Sequence, residues 1–323
     1  MSKAIRIHEN GGPEVLRWED VPVGNPGPGE VLLKHTAVGL NFIDIYQRTG
    51  LYPLELPLVL GMEGAGVIEE VGRDVTGFAA GQRVAYAMQV GSYSERRVIG
   101  TSKLIALPDD IEDRTAGAMM LQGMTAMYLV CRTHVVKTGE TILVNAAAGG
   151  VGLILCQWAS HLGATVIGCV GSETKAELAR AHGCAHTILY REEDIVKKVR
   201  EITDGKGVPV VYDSVGRDTF DSSIDCLAPF GTLVSYGNAS GPVEPFNPLM
   251  LGNKGSLFFT RQTLATHGAT RELLEDAANQ LIGVVRSGAV RININQTFPL
   301  SETAQAHRDL ESRKTTGSTV LIP

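Results

Sequence analysis

A chain of 323 residues, 44% hydrophobic and 20% charged, has the composition of an ordinary globular protein and length for two domains at about 100–200 residues each. Its net charge of -6, with basic residues scattered, excludes the clustered Lys/Arg surface that nucleic acid or an anionic membrane demands. No run of about 18 apolar residues occurs, and the opening MSKAIRIHENGG lacks the apolar core of a signal peptide, so the expectation is a cytoplasmic protein with no membrane partner.

The first third reads as β-rich, with short apolar runs such as Glu30 to Val38, Gly64 to Val71 and Gln82 to Ala87 set between glycines and prolines. From about Thr115 helical segments alternate with short apolar strands at Thr141 to Ala146, Thr165 to Val170, Val208 to Asp213, Gly231 to Tyr236 and Ser256 to Thr260. That alternation predicts a parallel sheet with helices on both faces. A helix at Arg271 to Ser287, a strand at Ile292 to Phe298, a helix at Ser301 to Glu311 and a strand at Thr319 to Ile322 close the chain. This tail is too short for a domain of its own and is expected to pack back on the N-terminal part. The expected division is 1–120 with 264–323, and 121–263, with a cleft between the two.

The five cysteines, Cys131, Cys156, Cys169, Cys184 and Cys226, contain no C-x-x-C pair and lie in or near apolar runs, which predicts buried thiols. His182, Cys184 and His186 are a stray metal-like cluster, but Gly183 breaks the stretch where a helix runs into a strand at Thr187 to Tyr190, and no metal is expected.

The strongest local signal is Asn145-Ala-Ala-Ala-Gly-Gly-Val-Gly152, which follows a strand and opens a helix from Val151 to Leu162. It is a G-x-G-x-x-G pattern with Ala147 in the first place, Gly149 in the second and Gly152 in the third. Ala147 is expected to make the tight turn, Gly149 to let backbone approach a pyrophosphate, and Gly152 to let helix pack on strand, while the helix N-terminus attracts the anion. After the second strand, NAD sites carry an Asp or Glu for the ribose 2′-hydroxyl. Here the chain reads Gly171-Ser-Glu-Thr-Lys175, so Ser172 and Lys175 point to a 2′-phosphate and NADPH, with Glu173 as the feature that would tolerate NAD. Tyr190 is a candidate to lie beside the same phosphate, with an exposed strand-end tyrosine as its alternative, as a solvated helix residue is for Lys175.

These residues resemble the medium-chain dehydrogenase/reductase superfamily and, within it, the zinc-free bacterial NADPH:quinone oxidoreductases related to zeta-crystallin. The likeness covers the whole chain, through Gly11-Gly-Pro-Glu-Val15, Gly39-Leu-Asn-Phe-Ile-Asp-Ile-Tyr46, Gly50-Leu-Tyr-Pro53, Gly61-Met-Glu-Gly-Ala-Gly66, the glycine turn and Val211-Tyr-Asp-Ser-Val-Gly216. The resemblance implies an α/β fold made of a GroES-like β-barrel domain and a doubly wound Rossmann domain. It implies NADPH in the interdomain cleft, held by Ala148, Gly149, Gly150, Val151, Gly171, Ser172, Lys175 and Tyr190. Its nicotinamide would lie near Asn41, Thr125, Tyr236, Gly237 and Asn238, with Arg261 and Arg313 closing over the cofactor. It further implies a homodimer that pairs Rossmann-sheet edges, for which Gly255 to Arg261 is the candidate edge. Zinc-dependent relatives carry a Cys in the segment matching Gly39 to Ile45 and a His in a G-H-E motif. This chain has Asn41 and Phe42 in the first and Met62 in the second, and no cysteine before Cys131.

A quinone is already a good electron acceptor, so the chemistry needs positioning more than acid–base machinery. Asn41, Tyr46 and Tyr52 are the candidates to hydrogen-bond an oxygen whose charge grows on reduction. Tyr46 has an alternative role packing on Phe42 and Ile45, Tyr52 in shaping the pocket mouth, and Asp44 is expected in a helix cap or ion pair. Met119, Met120, Met124 and Met127 read as core at near-helical spacing. The competing functions are a 2-alkenal or enone reductase and a nucleotide-binding regulatory or structural protein of the zeta-crystallin kind.

Overall fold

The structure, a computed structural model, describes residues 1–323. In chain order the first elements are β1 (Ser2–Ile7), β2 (Arg17–Val21), β3 (Glu30–Leu40), α1 (Phe42–Arg48), β4 (Leu58–Val59), β5 (Glu63–Val71), β6 (Arg83–Ala87), β7 (Arg96–Gly100), β8 (Ile105–Ala106) and α2 (Asp113–Tyr128). Next come β9 (Thr141–Asn145), α3 (Gly150–His161), β10 (Thr165–Val170), α4 (Glu173–Ala181), β11 (Cys184–Leu189), α5 (Ile195–Ile202), β12 (Val208–Asp213), α6 (Phe220–Asp225), β13 (Leu227–Ser235), α7 (Leu249–Asn253) and β14 (Phe258–Arg261). The chain ends with α8 (Leu264–His267), α9 (Arg271–Arg286), β15 (Ile294–Pro299), α10 (Thr303–Glu311) and β16 (Ser318–Ile322). No helix is long and apolar enough to cross a membrane.

These elements group into two compact units, Met1–Gln122 with Gly268–Asn279 and Ile292–Pro323, and Gly123–His267 with Gln280–Arg291. Of the tail expected to follow the first unit, residues 264–267 and 280–291 therefore group with the second. The local reason is packing: Leu281 is fully buried and lies so close to Gly123 that a Cβ on that glycine would stand 2.4 Å from it.

The first unit is built on antiparallel pairing. One sheet has the order β2-β1-β4; the other runs β15-β16-β3-β5-β6-β8, with β7 also paired to β3. Inward residues alternate along β3, where Val31 and Leu33 are buried, as period-two geometry requires of a strand with one face in the core. Val31, Leu33, Ile68, Val84, Tyr86, Ile99 and Leu104 form one core, and Ile5, Ile7, Val38, Leu40, Leu60 and Leu321 belong to another that draws the C-terminal strand into the fold. Burying each such side chain contributes about 1.5–3 kcal/mol.

The second unit is a six-stranded, all-parallel sheet of order β11-β10-β9-β12-β13-β14. Counted within the unit this is 3-2-1-4-5-6, the doubly wound Rossmann order. The central strands are Val/Ile/Leu runs buried on both faces, as a sheet covered by helices demands. Two strands start earlier than expected. β13 begins at Leu227, which pairs with Val208 before a register shift; Pro229 and the left-handed Phe230 (φ 63°) disguise that start in the sequence. β11 begins at Cys184, so His186 sits in the strand opposite Ile167.

Candidate functional site

In the second unit the turn between β9 and α3 has the expected order of strand, turn and helix, with one correction. The left-handed residue is Ala146 (φ 54°), not Ala147. Ala147 is fully buried and its backbone N–H donates to Cys169 O at 3.1 Å, which ties the turn to β10. A short side chain at position 147 thus serves packing, and the bend falls one residue earlier. Gly149 is the N-cap of α3, and the first-turn N–H groups of Gly150, Val151 and Gly152 have no carbonyl four residues upstream within the helix. A twelve-residue helix beginning with such unpaired donors has a partial positive charge at that end, which favours an anion. A Cβ on Gly152 would stand 2.3 Å from Ala146 O, so only glycine lets the helix begin this close to the turn.

At the end of β10, Ser172 caps α4 and accepts the Lys175 N–H at 3.4 Å. Lys175 is half-buried in the first turn of that helix. Glu173 forms an ion pair with Arg180, whose other nitrogen donates to Thr187 Oγ1 at 2.7 Å. Tyr190 follows β11 and donates its backbone N–H to Val170 O at 3.2 Å, at the end of β10, with its side chain 39% exposed. Tyr236, Gly237 and Asn238 follow β13, where the Tyr236 N–H bonds Asp213 O at 2.8 Å; burial raises the Tyr236 phenol above its ordinary range. Arg261 ends β14 and donates to Ser235 Oγ and Gly237 O, both at 3.3 Å. Ala148 to Val151, Gly171 to Lys175, Tyr190, the Tyr236 loop and Arg261 therefore all lie at carboxyl ends of the parallel strands, the edge where open α/β sheets take ligands. Thr125 is buried on α2.

Sequence reasoning assigned no role to the hub of that edge. Asp213, buried at the end of β12, accepts from Val215 N (2.7 Å), Gly216 N (3.1 Å), Thr219 Oγ1 (2.6 Å) and Ser223 Oγ (3.0 Å). Asn145 at the end of β9 donates to Ser223 Oγ at 2.8 Å, so one network joins the two strands at which the sheet order reverses. The motif Val211 to Gly216 contains Asp213; only the fold reveals that its carboxylate organises the loop.

In the first unit Asn41 stands at the start of α1, Tyr46 lies within it and Tyr52 just follows it. Asn41 is the N-cap, and Asp44, three residues on, accepts the Asn41 backbone N–H at 2.9 Å while its own N–H bonds the Asn41 backbone O at 3.1 Å, which is the helix-cap role expected of Asp44. Tyr46 is buried with its ring 6.1 Å from Phe42 and edge-on to Tyr52 at 5.2 Å, so its packing role is present beside any polar one. Arg313 is exposed in the turn after α10 at φ 58°.

Beneath Asn41 lies a buried polar cluster that sequence reasoning missed. The Asn41 Nδ2 donates to Glu63 Oε1 at 3.2 Å, and its Oδ1 accepts from Gln122 Nε2 at 3.1 Å. Glu63 also accepts the Leu121 backbone N–H. Its carboxyl fits because residue 39 is glycine: a Cβ there would stand 2.0 Å from Glu63 Oε1. Burial raises the Glu63 carboxyl to about 8 and that of Asp44 to about 7. Tyr93 donates to Asp44 Oδ2 at 2.8 Å and lies 3.2 Å from His307 Nε2. Arg48, 1% exposed, donates to Gly11 O, His307 Nδ1 and Glu311. Burial, then the Arg48 charge, lowers His307 to about 3, so it is neutral. The only sequence signal was the G-M-E triplet that holds Glu63; Arg48, Tyr93 and His307 meet across as many as 259 residues of separation.

The stray cluster resolves the same way. His182 bonds its own helix at Leu178 O (2.7 Å), and Cys184 turns inward toward Cys156. None of the five cysteines forms a disulfide, and four are buried.

A Rossmann sheet with an anion-binding turn, joined in one chain to an antiparallel β unit, defines a two-part dinucleotide-binding dehydrogenase or reductase. Residues 27–140 match the family described as alcohol dehydrogenase GroES-like domain, and residues 150–279 match the zinc-binding dehydrogenase family. The chain is 53% identical to a quinone oxidoreductase of Pseudomonas aeruginosa, covering 100% of both chains, and 48% identical to a 2-haloacrylate reductase of a Burkholderia species, covering 100% of this chain and 99% of the relative. It superposes on a crystal structure of Escherichia coli quinone oxidoreductase complexed with NADPH with TM-score 0.97, at 46% identity, over 99% of this chain and 100% of the other. The chain belongs to the quinone oxidoreductase family of medium-chain dehydrogenases/reductases.

The zinc named in one matched family does not fit these residues. At the two places where zinc-dependent members carry Cys and His, this chain has the Asn41 amide, bonded on both heavy atoms, and the Met62 thioether, which accepts from Gln47 Nε2 at 3.2 Å. Zinc takes thiolate, imidazole or carboxylate donors. No group of three or more His, Cys, Asp or Glu is arranged to hold a metal ion.

Proposed function

We propose that this protein is a cytosolic, homodimeric, zinc-independent enzyme that reduces quinones with NADPH. The observation that carries the cofactor assignment is the set of groups at the carboxyl edge of the parallel sheet. The α3 N-terminus supplies backbone donors for a pyrophosphate, and Ser172 and Lys175 stand at the end of β10 where an acidic residue would favour NADH. Glu173, the carboxylate between Ser172 and Lys175, is tied to Arg180. Ala148, Gly149, Gly150, Val151, Gly171, Ser172, Lys175, Tyr190, Tyr236, Gly237, Asn238, Arg261, Thr125, Asn41 and Arg313 are the proposed cofactor contacts. When bound, NADPH supplies a hydride from its nicotinamide ring.

For the acceptor, Asn41, Tyr46 and Tyr52 are the proposed contacts. An amide N–H and two phenols donate to a carbonyl oxygen as it gains charge, which a quinone needs and a metal is not required to provide. The 53% relative and the NADPH-bound structural neighbour, both quinone oxidoreductases, support this reading. The edge strand β14, with Phe230, Leu249 and Phe258 each more than half exposed, supports dimerisation by edge pairing.

A second reading has specific support, because a relative at 48% identity is a 2-haloacrylate reductase. Reduction of a conjugated alkene would use the same donor and the same polar contacts. Offering a quinone and an enone together decides between them: preferential loss of the quinone supports the main reading, and preferential loss of the enone replaces it.

A further inference from the structure

The hydrogen bonds beneath Asn41 form a chain through four elements: Glu63 on β5, Asn41 at the start of α1, Gln122 on α2 and Ser318 on β16. Ser318 Oγ is 2.8 Å from Gln122 Oε1 and 3.3 Å from Ala118 O. Glu63 and Ser318 are at most 1% exposed, Asn41 and Gln122 at most 6%, so the chain exchanges little with water.

Its chemistry allows two complete arrangements on one set of heavy-atom positions. With Glu63 ionised, Asn41 Nδ2 donates to Glu63 Oε1, Gln122 Nε2 donates to Asn41 Oδ1, and Ser318 donates to Gln122 Oε1. With Glu63 neutral, Oε2 is still held by the Leu121 N–H, so the acid proton resides on Oε1 and must be donated. The partner at that position must then be an acceptor. Turning the Asn41 amide by half a turn presents Oδ1 to Glu63 and Nδ2 to Gln122; turning Gln122 presents Oε1 to Asn41 and Nε2 to Ser318; and Ser318 donates instead to Ala118 O. Every bond reverses and none is lost, whereas a reversal of only part of the chain sets two donors or two acceptors face to face.

We infer that Glu63 is a positioning residue: its protonation state sets the polarity of this chain and so which side of Asn41 carries the spare N–H and which the spare oxygen lone pair. The proton that Glu63 gains comes from solvent; no covalent bond other than that O–H forms or breaks. The titratable groups electrostatically coupled to Glu63 are Asp44 on α1, Tyr86 on β6 and Tyr93 in the segment after β6. Tyr86 and Tyr93 stay neutral because burial raises both phenols. Asp44, near 7, is the group that titrates beside it. The consequence for turnover rests on the proposed contact of Asn41 with cofactor or acceptor, but the chain itself does not.

The test is nuclear magnetic resonance of the full-length protein without cofactor, following the side-chain amides of Asn41 and Gln122 and the carboxyl carbon of Glu63 between about pH 5 and 10. The expected result is that all three titrate with one midpoint, near 8. In Glu63→Gln the Leu121 N–H holds the new carboxamide oxygen, which leaves an NH2 facing Asn41. That variant is therefore expected to hold Asn41 and Gln122 at their low-pH positions throughout. Overturning results are a Glu63 titration that leaves either amide unmoved, no Glu63 titration in that range, or a variant locked in the high-pH pattern. Should the variant fail to fold, the wild-type titration decides alone. None of these outcomes depends on whether the protein turns over quinones.

Discussion

The glycine turn of the second unit and the polar cluster of the first are both built around buried or half-buried polar groups, yet they are organised on opposite principles. The turn is local: β9, Ala146 to Gly149 and α3 follow one another in sequence, and its donors are backbone N–H groups left over by helix geometry. The cluster is assembled from residues as far apart as Arg48 and His307, and side chains supply most of its donors and acceptors. A local site leaves a spaced motif in the sequence. A site made by tertiary folding leaves single residues with no spacing to recognise.

The comparison predicts where substitutions act. The largest effect on folding falls in the cluster: Arg48→Met leaves Gly11 O, His307 and Glu311 without their donor and is expected to cost about 3–5 kcal/mol, read from chemical unfolding. An unfolding midpoint unchanged from wild type would mean that the buried guanidinium is dispensable.

The cluster also makes stability depend on pH. Glu63 has its carboxyl raised from 4.5 to about 8 in the fold, so the folded state binds the proton more tightly. The resulting stability is fully present below the unfolded value and is lost as pH rises through the folded one. Wild type is therefore expected to lose stability relative to Glu63→Gln as pH rises from 4.5 to about 8. Parallel curves for the two proteins across that window would contradict the assignment.

In the turn, effects fall on ligand binding as well as fold. Gly152→Ala places a Cβ 2.3 Å from Ala146 O and is expected to cost about 1–3 kcal/mol and to weaken NADPH binding, read by thermal unfolding and cofactor titration. Lys175→Ala is smaller and more selective. Loss of one charge-assisted contact worth about 1.4 kcal/mol lowers NADPH affinity about tenfold and leaves NADH affinity unchanged. An equal loss for both cofactors would remove Lys175 from the 2′-phosphate. Smallest is Tyr52→Phe, expected to lower kcat/KM for a quinone by about two- to fivefold, the value of one neutral hydrogen bond of about 0.5–1 kcal/mol.

The same contrast explains what was legible in the sequence. The parallel strands were readable because each is a short apolar run between glycine-marked turns, and the position of Ser172 and Lys175 just after β10 because it falls at a fixed interval after the turn. The bend at Ala146 was placed one residue late because the G-x-G-x-x-G pattern counts glycines, whereas the left-handed residue here is an alanine outside it. The start of β13 was hidden by Pro229, which reads as a break although Leu227 already pairs with Val208. Asn41 was readable as a polar residue where zinc-dependent relatives carry a ligand. Its partners Glu63 and Gln122, and Ser318 beyond Gln122, were not, since only the tertiary packing of β5, α2 and β16 brings them together.

The central claim is tested most directly by mixing the purified protein with NADPH or NADH and a simple quinone, and following the loss of reduced-nicotinamide absorbance after treatment with a metal chelator. The account predicts that NADPH is consumed with the quinone at an undiminished rate while NADH is spared. Consumption of NADH in preference to NADPH, loss of activity on chelation, or binding of NADPH without transfer to any quinone would contradict it.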